Sequence, residues 1–240
     1  MKNNLNLTII IVAALIVGGI LIAVFYAFPK SNSNKVIQVV GNAQFSVKPD
    51  KALVYIQVQT NATTAQEAKN MNTNMYDNII SALKLIGIQD SDIETENYNI
   101  YPSCTYSEKG QICNGFIVSN AIKVSTTNFD ILSKIVDAAV DNGGLINYIN
   151  FELSNDKSNS YKADALKMAS EDAKNKATAV AAGQGSKVGN LVSISVNDYN
   201  YYPIPFYTAG SGADIKQSVA NVQPKNLDIS ATVTVTYEIA

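Results

Sequence analysis

From Val36 to Val47 and again from Ala52 to Thr60 the chain changes polarity with the two-residue rhythm of a strand. In the second run Ala52, Val54, Ile56 and Val58 share one face, while Tyr55, Gln57 and Gln59 share the other. Lys48-Pro49-Asp50 lies between the runs and predicts a turn, because proline presets φ and lacks a backbone donor. The two runs are therefore expected to pair. The rhythm then lengthens. Thr64 and Glu67 have capping-box spacing, and Ala68, Met71, Met75, Ile79, Leu83 and Ile86 recur at helical intervals until Gly87.

Strand character returns over Ile93–Tyr101 and Gly115–Ser125. Thr127 or Asn128 opens a second helix through Val140, stopped by Gly143-Gly144, and Ile146–Leu153 alternates once more. A third helix, about Ser160 to Ala182, places Ala165, Ala169, Ala173, Ala177 and Ala181 four residues apart. Small side chains on one stripe let a helix come close to its neighbour, and alanine has the highest helix propensity. The stripe reads as tight packing rather than a ligand site. Leu191–Val196 is a short strand, and Leu227–Ile239 alternates Leu, Ile, Ala and Val against Asp, Ser and Thr, which predicts a strand paired in this domain or with a neighbouring subunit. The order ββα-ββ-αβα-ββ predicts an α+β fold, a largely antiparallel sheet covered by helices.

Ile9–Phe28 has no such rhythm. It is twenty residues without a charge, about 30 Å as a helix, which matches bilayer hydrocarbon and predicts an N-terminal transmembrane helix. A signal peptide is the alternative, although Lys2 is a thin positive region and Phe25-Tyr26-Ala27 a poor cleavage site. The expected organisation is a tail (1–8), an anchor or signal peptide (9–28), a linker (29–35) and an extracytoplasmic domain (36–240). The expected location is the cell membrane, single-pass. Lys30 and Lys35 match the positive charge before the run, so charge bias does not set its orientation.

Charge and residue types narrow the chemistry. Eighteen Lys and Arg face 20 Asp and Glu, so there is no basic field for nucleic acid. With no histidine the usual proton shuttle near neutral pH is missing. Asp90, Asp92, Glu94 and Glu96 are the nearest to a carboxylate set. Asp92, Glu94 and Glu96 are spaced two apart on a strand, which reads as one hydrated face. No catalytic residues, cofactor or metal ligands are expected. Asn61-Ala62-Thr63 is a glycosylation acceptor pattern.

Two features remain. Cys104 and Cys113 have eight residues between them, and arms at 103–107 and 113–118 would bring the thiols together near a turn at Lys109-Gly110. A disulfide there requires the Cα atoms to approach to about 4.4–6.8 Å, and an extracytoplasmic location favours it over two unpaired thiols. The second feature is Asn197–Pro224, which reads as a long loop with Tyr199, Tyr201, Tyr202, Phe206 and Tyr207 among Pro and Gly. Tyrosine-rich loops present rigid aromatic area at low entropic cost, so this loop is a candidate interaction surface. Packing back on its own domain and mobility without a role are the other readings.

The segments GNAQFSVKPDKALVYIQV, TTAQEAKNMN, ALKLIGIQDSDIETENYNIYP, GFIVSNAIKVSTTNFDILSKIVDAAVDNG, the alanine-rich ADALKMASEDAKNKATAVAAGQGSKVGNLVSIS and the closing ATVTVTYEI together resemble the SIMPL domain family (DUF541) over residues 36 to 239. That family includes bacterial periplasmic and outer-membrane-associated proteins. The resemblance implies an α+β fold, ring-like or higher homo-oligomers, and a link to envelope integrity or oxidative-stress defence. It implies no known reaction. Two features depart from the family pattern: Pro224-Lys225 stands where a Pro-Gly step is common, and the cysteine pair is not general. The expectation is a membrane-anchored extracytoplasmic structural or interaction module, homo-oligomeric, with an envelope protein as candidate partner. The alternative is an envelope ligand-binding protein using residues 199–207.

Overall fold

The computed structural model describes residues 17–19, 35–107, 110–201, 204–206, 216, 219 and 224–240. The elements in chain order are β1 (Val36–Val47), β2 (Lys51–Ala62), α1 (Ala65–Leu85), β3 (Ile93–Ser107), β4 (Gly110–Thr126), α2 (Leu132–Val140), β5 (Leu145–Glu152), α3 (Asn155–Gly183), β6 (Val188–Tyr201), β7 (Ile204–Phe206) and β8 (Leu227–Ile239). Short 3-10 turns at Asp90–Asp92 and Phe129–Ile131 lead into β3 and α2.

The strands form two antiparallel sheets rather than one. The first is three-stranded, ordered β1-β8-β6, and the second five-stranded, ordered β3-β4-β2-β5-β7. The expected pairing of the first two strands is corrected accordingly. β1 pairs with β8 from Val36↔Glu238 to Val47↔Leu227, while β2 pairs with β4 and β5 in the other sheet. Lys48-Pro49-Asp50 is a crossover between sheets, not a hairpin turn. The closing strand takes the centre of the three-stranded sheet, which explains its clean alternation: Leu227, Ile229, Ala231, Val233 and Val235 are buried beneath a helix.

The fold expectation also included an N-terminal transmembrane helix, and this is corrected. Among the described residues no helix is long and apolar enough to cross a membrane. Of the run 9–28 only residues 17–19 are described, as helical; the rest lies outside the described residues.

Helix α1 starts at the expected place. Thr64 caps it by accepting a hydrogen bond from the Glu67 N–H at 3.2 Å, and Gly87, at φ +96°, ends it in a conformation side-chain-bearing residues avoid. Ala68 is buried on α1, Ile79 and Leu83 enter the core of the five-stranded sheet, and α2 adds Leu132, Ile135, Val136 and Ala139. Helix α3 begins at Asn155, earlier than its alanine rhythm, because Ser154 supplies an N-cap. Its buried residues are Ala165, Ala169, Ala173, Ala177 and Ala181, the whole stripe. Beneath them lies Gly41 of β1, where an added Cβ would fall 2.0 Å from the Ala169 carbonyl oxygen and 2.7 Å from the Ala173 Cβ. The alanines thus permit an approach that the glycine completes.

Candidate functional site

The β3–β4 pair runs past the strands that support it. Ala62, the last residue of β2, is opposite Phe116 of β4, and among the described residues the remainder of β4 toward Gly110 pairs with β3 alone. Gly115, at φ +98°, stands at that boundary; a Cβ there would lie 2.5 Å from the Ala62 carbonyl oxygen, so glycine suits both the backbone conformation and the close approach to the end of β2. The register shifts between Pro102 and Cys104, and the next pair is Cys104↔Cys113. These two cysteines are joined in a disulfide, with Cα atoms 3.9 Å apart, closer than the usual range for such a bridge.

A two-stranded ribbon is marginally stable alone in water. The bridge closes this one immediately beyond its last supporting strand. Tyr106, at 81%, and Ile112 are exposed on the arm, and Tyr98, Ile100 and Tyr101 are exposed on the stretch of β3 that leads to it, where β2 still backs β4. Both strands are longer than their sequence pattern indicates. Pro102 marks an apparent end to the first, but β3 is an edge strand, where a missing donor on the outer side breaks no ladder bond.

The aromatic stretch after Val196 is built differently from the expected loop. Its first residues, through Tyr201, belong to β6, and Ile204–Phe206 forms β7 in the other sheet. Tyr201 is half-buried against the core of the three-stranded sheet, and its Oη accepts the Leu153 N–H at 2.6 Å. It braces the seam between sheets. Tyr199 pairs with Ala231 and Phe206 with Ile149 along the backbone, whereas Tyr202 and Tyr207 lie outside the described residues. Farther on, Lys216 pairs with Asp137 and Asp141 near the end of α2, and Val219 is buried in the core of the five-stranded sheet.

The same seam gives Pro49-Asp50 its role. The Asp50 carboxylate accepts the Ser154 N–H and the Ser154 hydroxyl, each at 2.7 Å, while the Asp50 N–H donates to the Glu152 carbonyl at 3.2 Å. One carboxylate thereby joins the crossover from β1 to β2 to the start of α3.

The four acidic residues at 90–96 divide between two places. Asp92 sits in the 3-10 turn, where its carboxylate accepts the Gln89 N–H, and Asp90 pairs with Lys84. A bulge between Thr95 and Asn97 lets Glu94 and Glu96 both reach Lys123, at 2.6 and 2.8 Å. The Lys123 hydrogen bond holds the Glu94 carboxyl below its ordinary range, and the two carboxylates hold the Lys123 ammonium well above its own. Beside them Tyr55 stacks on Tyr148, centroids 4.3 Å apart, and desolvation raises the Tyr55 phenol. Among the described residues no cluster of His, Cys, Asp and Glu could hold a metal ion.

One contact set had no sequence signal. Along the outer side of β1 the Asn42 N–H donates to Asp172 Oδ2 at 2.8 Å, and Lys176 Nζ donates to the Val40 carbonyl at 3.1 Å. Asp172 and Lys176 are themselves ion-paired at 2.6 Å. Helix α3 therefore occupies a donor and an acceptor that an incoming strand would use.

The family described as SIMPL, protein of unknown function (DUF541), matches residues 37–237. The chain belongs to the SIMPL family. The match runs from β1 to β8 and includes the arm and the seam. A 26 kDa periplasmic immunogenic protein of Brucella melitensis biotype 1 is 29% identical over 178 residues, 70% of this chain and 69% of that protein. The protein YggE of Escherichia coli strain K12 is 28% identical over 165 residues, 69% of this chain and 67% of its own length. YggE of Edwardsiella ictaluri is 25% identical over 241 residues, 98% of this chain and all of that one.

Proposed function

We propose that this SIMPL-family chain is an extracytoplasmic contact module. It assembles with copies of itself and presents the β3–β4 arm to a protein partner of the cell envelope. The observation that carries the reading is the arm. A ribbon stapled by Cys104–Cys113 where it loses its third strand, with aromatic and aliphatic side chains turned to solvent, suits a preformed contact element whose ordering cost is met before binding. A bridge of this kind persists in oxidising compartments, and a relative bearing the word periplasmic in its name supports the same side of the membrane. The link to oxidative-stress defence is implied by the resemblance alone and rests on no described residue.

The test uses thiol trapping in intact cells together with the mass of the purified full chain. Cys104 and Cys113 should resist alkylation until a membrane-impermeant reductant is added, and the full chain should sediment as an assembly at tens of micromolar. Thiols that alkylate without reductant would remove the location, and a strict monomer would remove the self-assembly.

A further inference from the structure

The two sheets leave three long strands at their edges, and the three are treated differently. The edge of β1 is occupied by Asp172 and Lys176. The edge strand β3 carries Glu94 and Glu96, both drawn to Lys123. The third, β6, carries Leu191, Val192, Ser193, Ile194, Ser195 and Val196, without a charge among them. Leu191, Val192, Ile194 and Val196 are each 52% to 56% exposed. Among the described residues no strand lies beyond β6, and helix α3 packs chiefly over β1 and β8, leaving Leu191–Val196 of β6 exposed.

Four large aliphatic side chains standing in water on an uncharged stretch of edge, ahead of Asp198, depart from the usual protection of such strands by charge, proline or cover. We infer that the β6 edge is the surface through which two copies of this chain meet, strand against antiparallel strand, joining their three-stranded sheets into one. This rests on the self-assembly proposed above and names the surface for it. Two arguments select a second copy as the occupant. A two-fold antiparallel pair sets the residues of one short stretch against each other, so a stretch of like charges repels its own copy, and Leu191–Val196 has no charge to repel. The composition is also self-matching in a two-fold antiparallel pair. With Ile194 near the axis, Ser193 meets Ser195 on one face, and the other face gathers Ile194 with Val192 and Val196. The cleft of about 760 Å³ between α3 and the start of β6, lined by Lys174, Thr178, Lys187, Leu191 and Tyr237, lies beside this edge with room for what projects from the partner.

The experiment compares the full chain with Ile194→Lys and Val40→Lys, kept in a mild non-ionic detergent so that the uncharged run 9–28 does not aggregate. Both positions are about half exposed, so the new ammonium stays in water in the monomer. Sedimentation should show Ile194→Lys self-associating at least tenfold more weakly than the unaltered chain, and Val40→Lys, on the occupied edge strand, assembling as the unaltered chain does. An independent reading uses Ile194→Cys with a short bismaleimide, whose reach covers a register step of about 7 Å; it should give a covalent dimer on a reducing gel. An assembly that survives Ile194→Lys, or that gives no cross-link at Ile194→Cys, overturns the edge while leaving self-assembly standing. Equal weakening by Val40→Lys overturns the choice of β6 over β1. An unaltered chain that is already monomeric overturns both readings.

Discussion

Under α3 the three-stranded sheet meets Ala165, Ala169 and Ala173, whereas under α1 and α2 the five-stranded sheet meets Ile79, Leu83, Ile135 and Val136. The first contact gains its cohesion from closeness. With Gly41 opposite Ala169 there is no side chain left to shorten on the strand and no space in which to lengthen one. The second contact gains its cohesion from apolar volume, with Ile56, Ile122 and Ile149 rising from the strands to fill the gap below the helices. The two halves should therefore fail in opposite ways, one when atoms are added and the other when they are removed.

The largest effect is expected at Gly41. Gly41→Val places its Cβ against the backbone of α3, which cannot rotate away as a side-chain tip can, so the three-stranded sheet should not close and no cooperative melt should remain by circular dichroism. The corresponding change in the other half is a truncation. Ile79→Ala should lower stability in urea by about 2–5 kcal/mol while the chain still folds. Equal tolerance of added atoms in both halves would end the comparison.

The seam comes next. Asp50→Ala removes two hydrogen bonds to Ser154 at the N-terminus of α3, for an expected loss of about 1–2 kcal/mol in urea titration. Smaller in global terms is the arm, because among the described residues its strands beyond Phe116 pair with each other and with no other strand. Replacing Cys104 and Cys113 by serine should hardly move the melting temperature, yet amide exchange over residues 103–114 should rise by tenfold or more. A large melting shift would instead make the bridge part of the core's stability.

The smallest effect is the pH dependence of the β1 edge. The Lys176 ammonium, and after it the Asn42 N–H, hold the Asp172 carboxyl below its ordinary range. The folded pKa is thus lower than the unfolded one, so the contribution is present above about pH 4 and fades as pH falls through the folded value. Asp172→Asn should melt slightly lower than the unaltered chain at pH 7, and the gap should close on acidification.

The sequence pattern read well wherever one element decided the outcome. The Thr64 cap, the alternation of β8 and the alanine stripe are local or periodic, and each stands in the structure where the pattern puts it. What it misread depends on partners. Val36–Val47 and Ala52–Thr60 have the rhythm of a hairpin, and nothing local reveals that Pro49-Asp50 carries the chain to another sheet. Pro102 halts a strand reading because the edge position that tolerates it is a tertiary fact. Tyr201 looks like a surface residue in its aromatic neighbourhood until the Leu153 N–H is found at its hydroxyl. The exposed aromatics of β3 lay in stretches read only as strands, and the Asp172–Lys176 contact with β1 joins residues about 130 positions apart.

Helix α3 also places a length constraint on the chain. Its alanine stripe and its Asp172–Lys176 pair occupy fixed angular positions around one axis, and each inserted residue turns everything downstream by about 100°. A single insertion between Ser170 and Asp172 would swing Ala173 and Ala177 off the sheet and the carboxylate away from Asn42 together. Homologous chains that keep this helix should vary in its composition far more readily than in its count of residues.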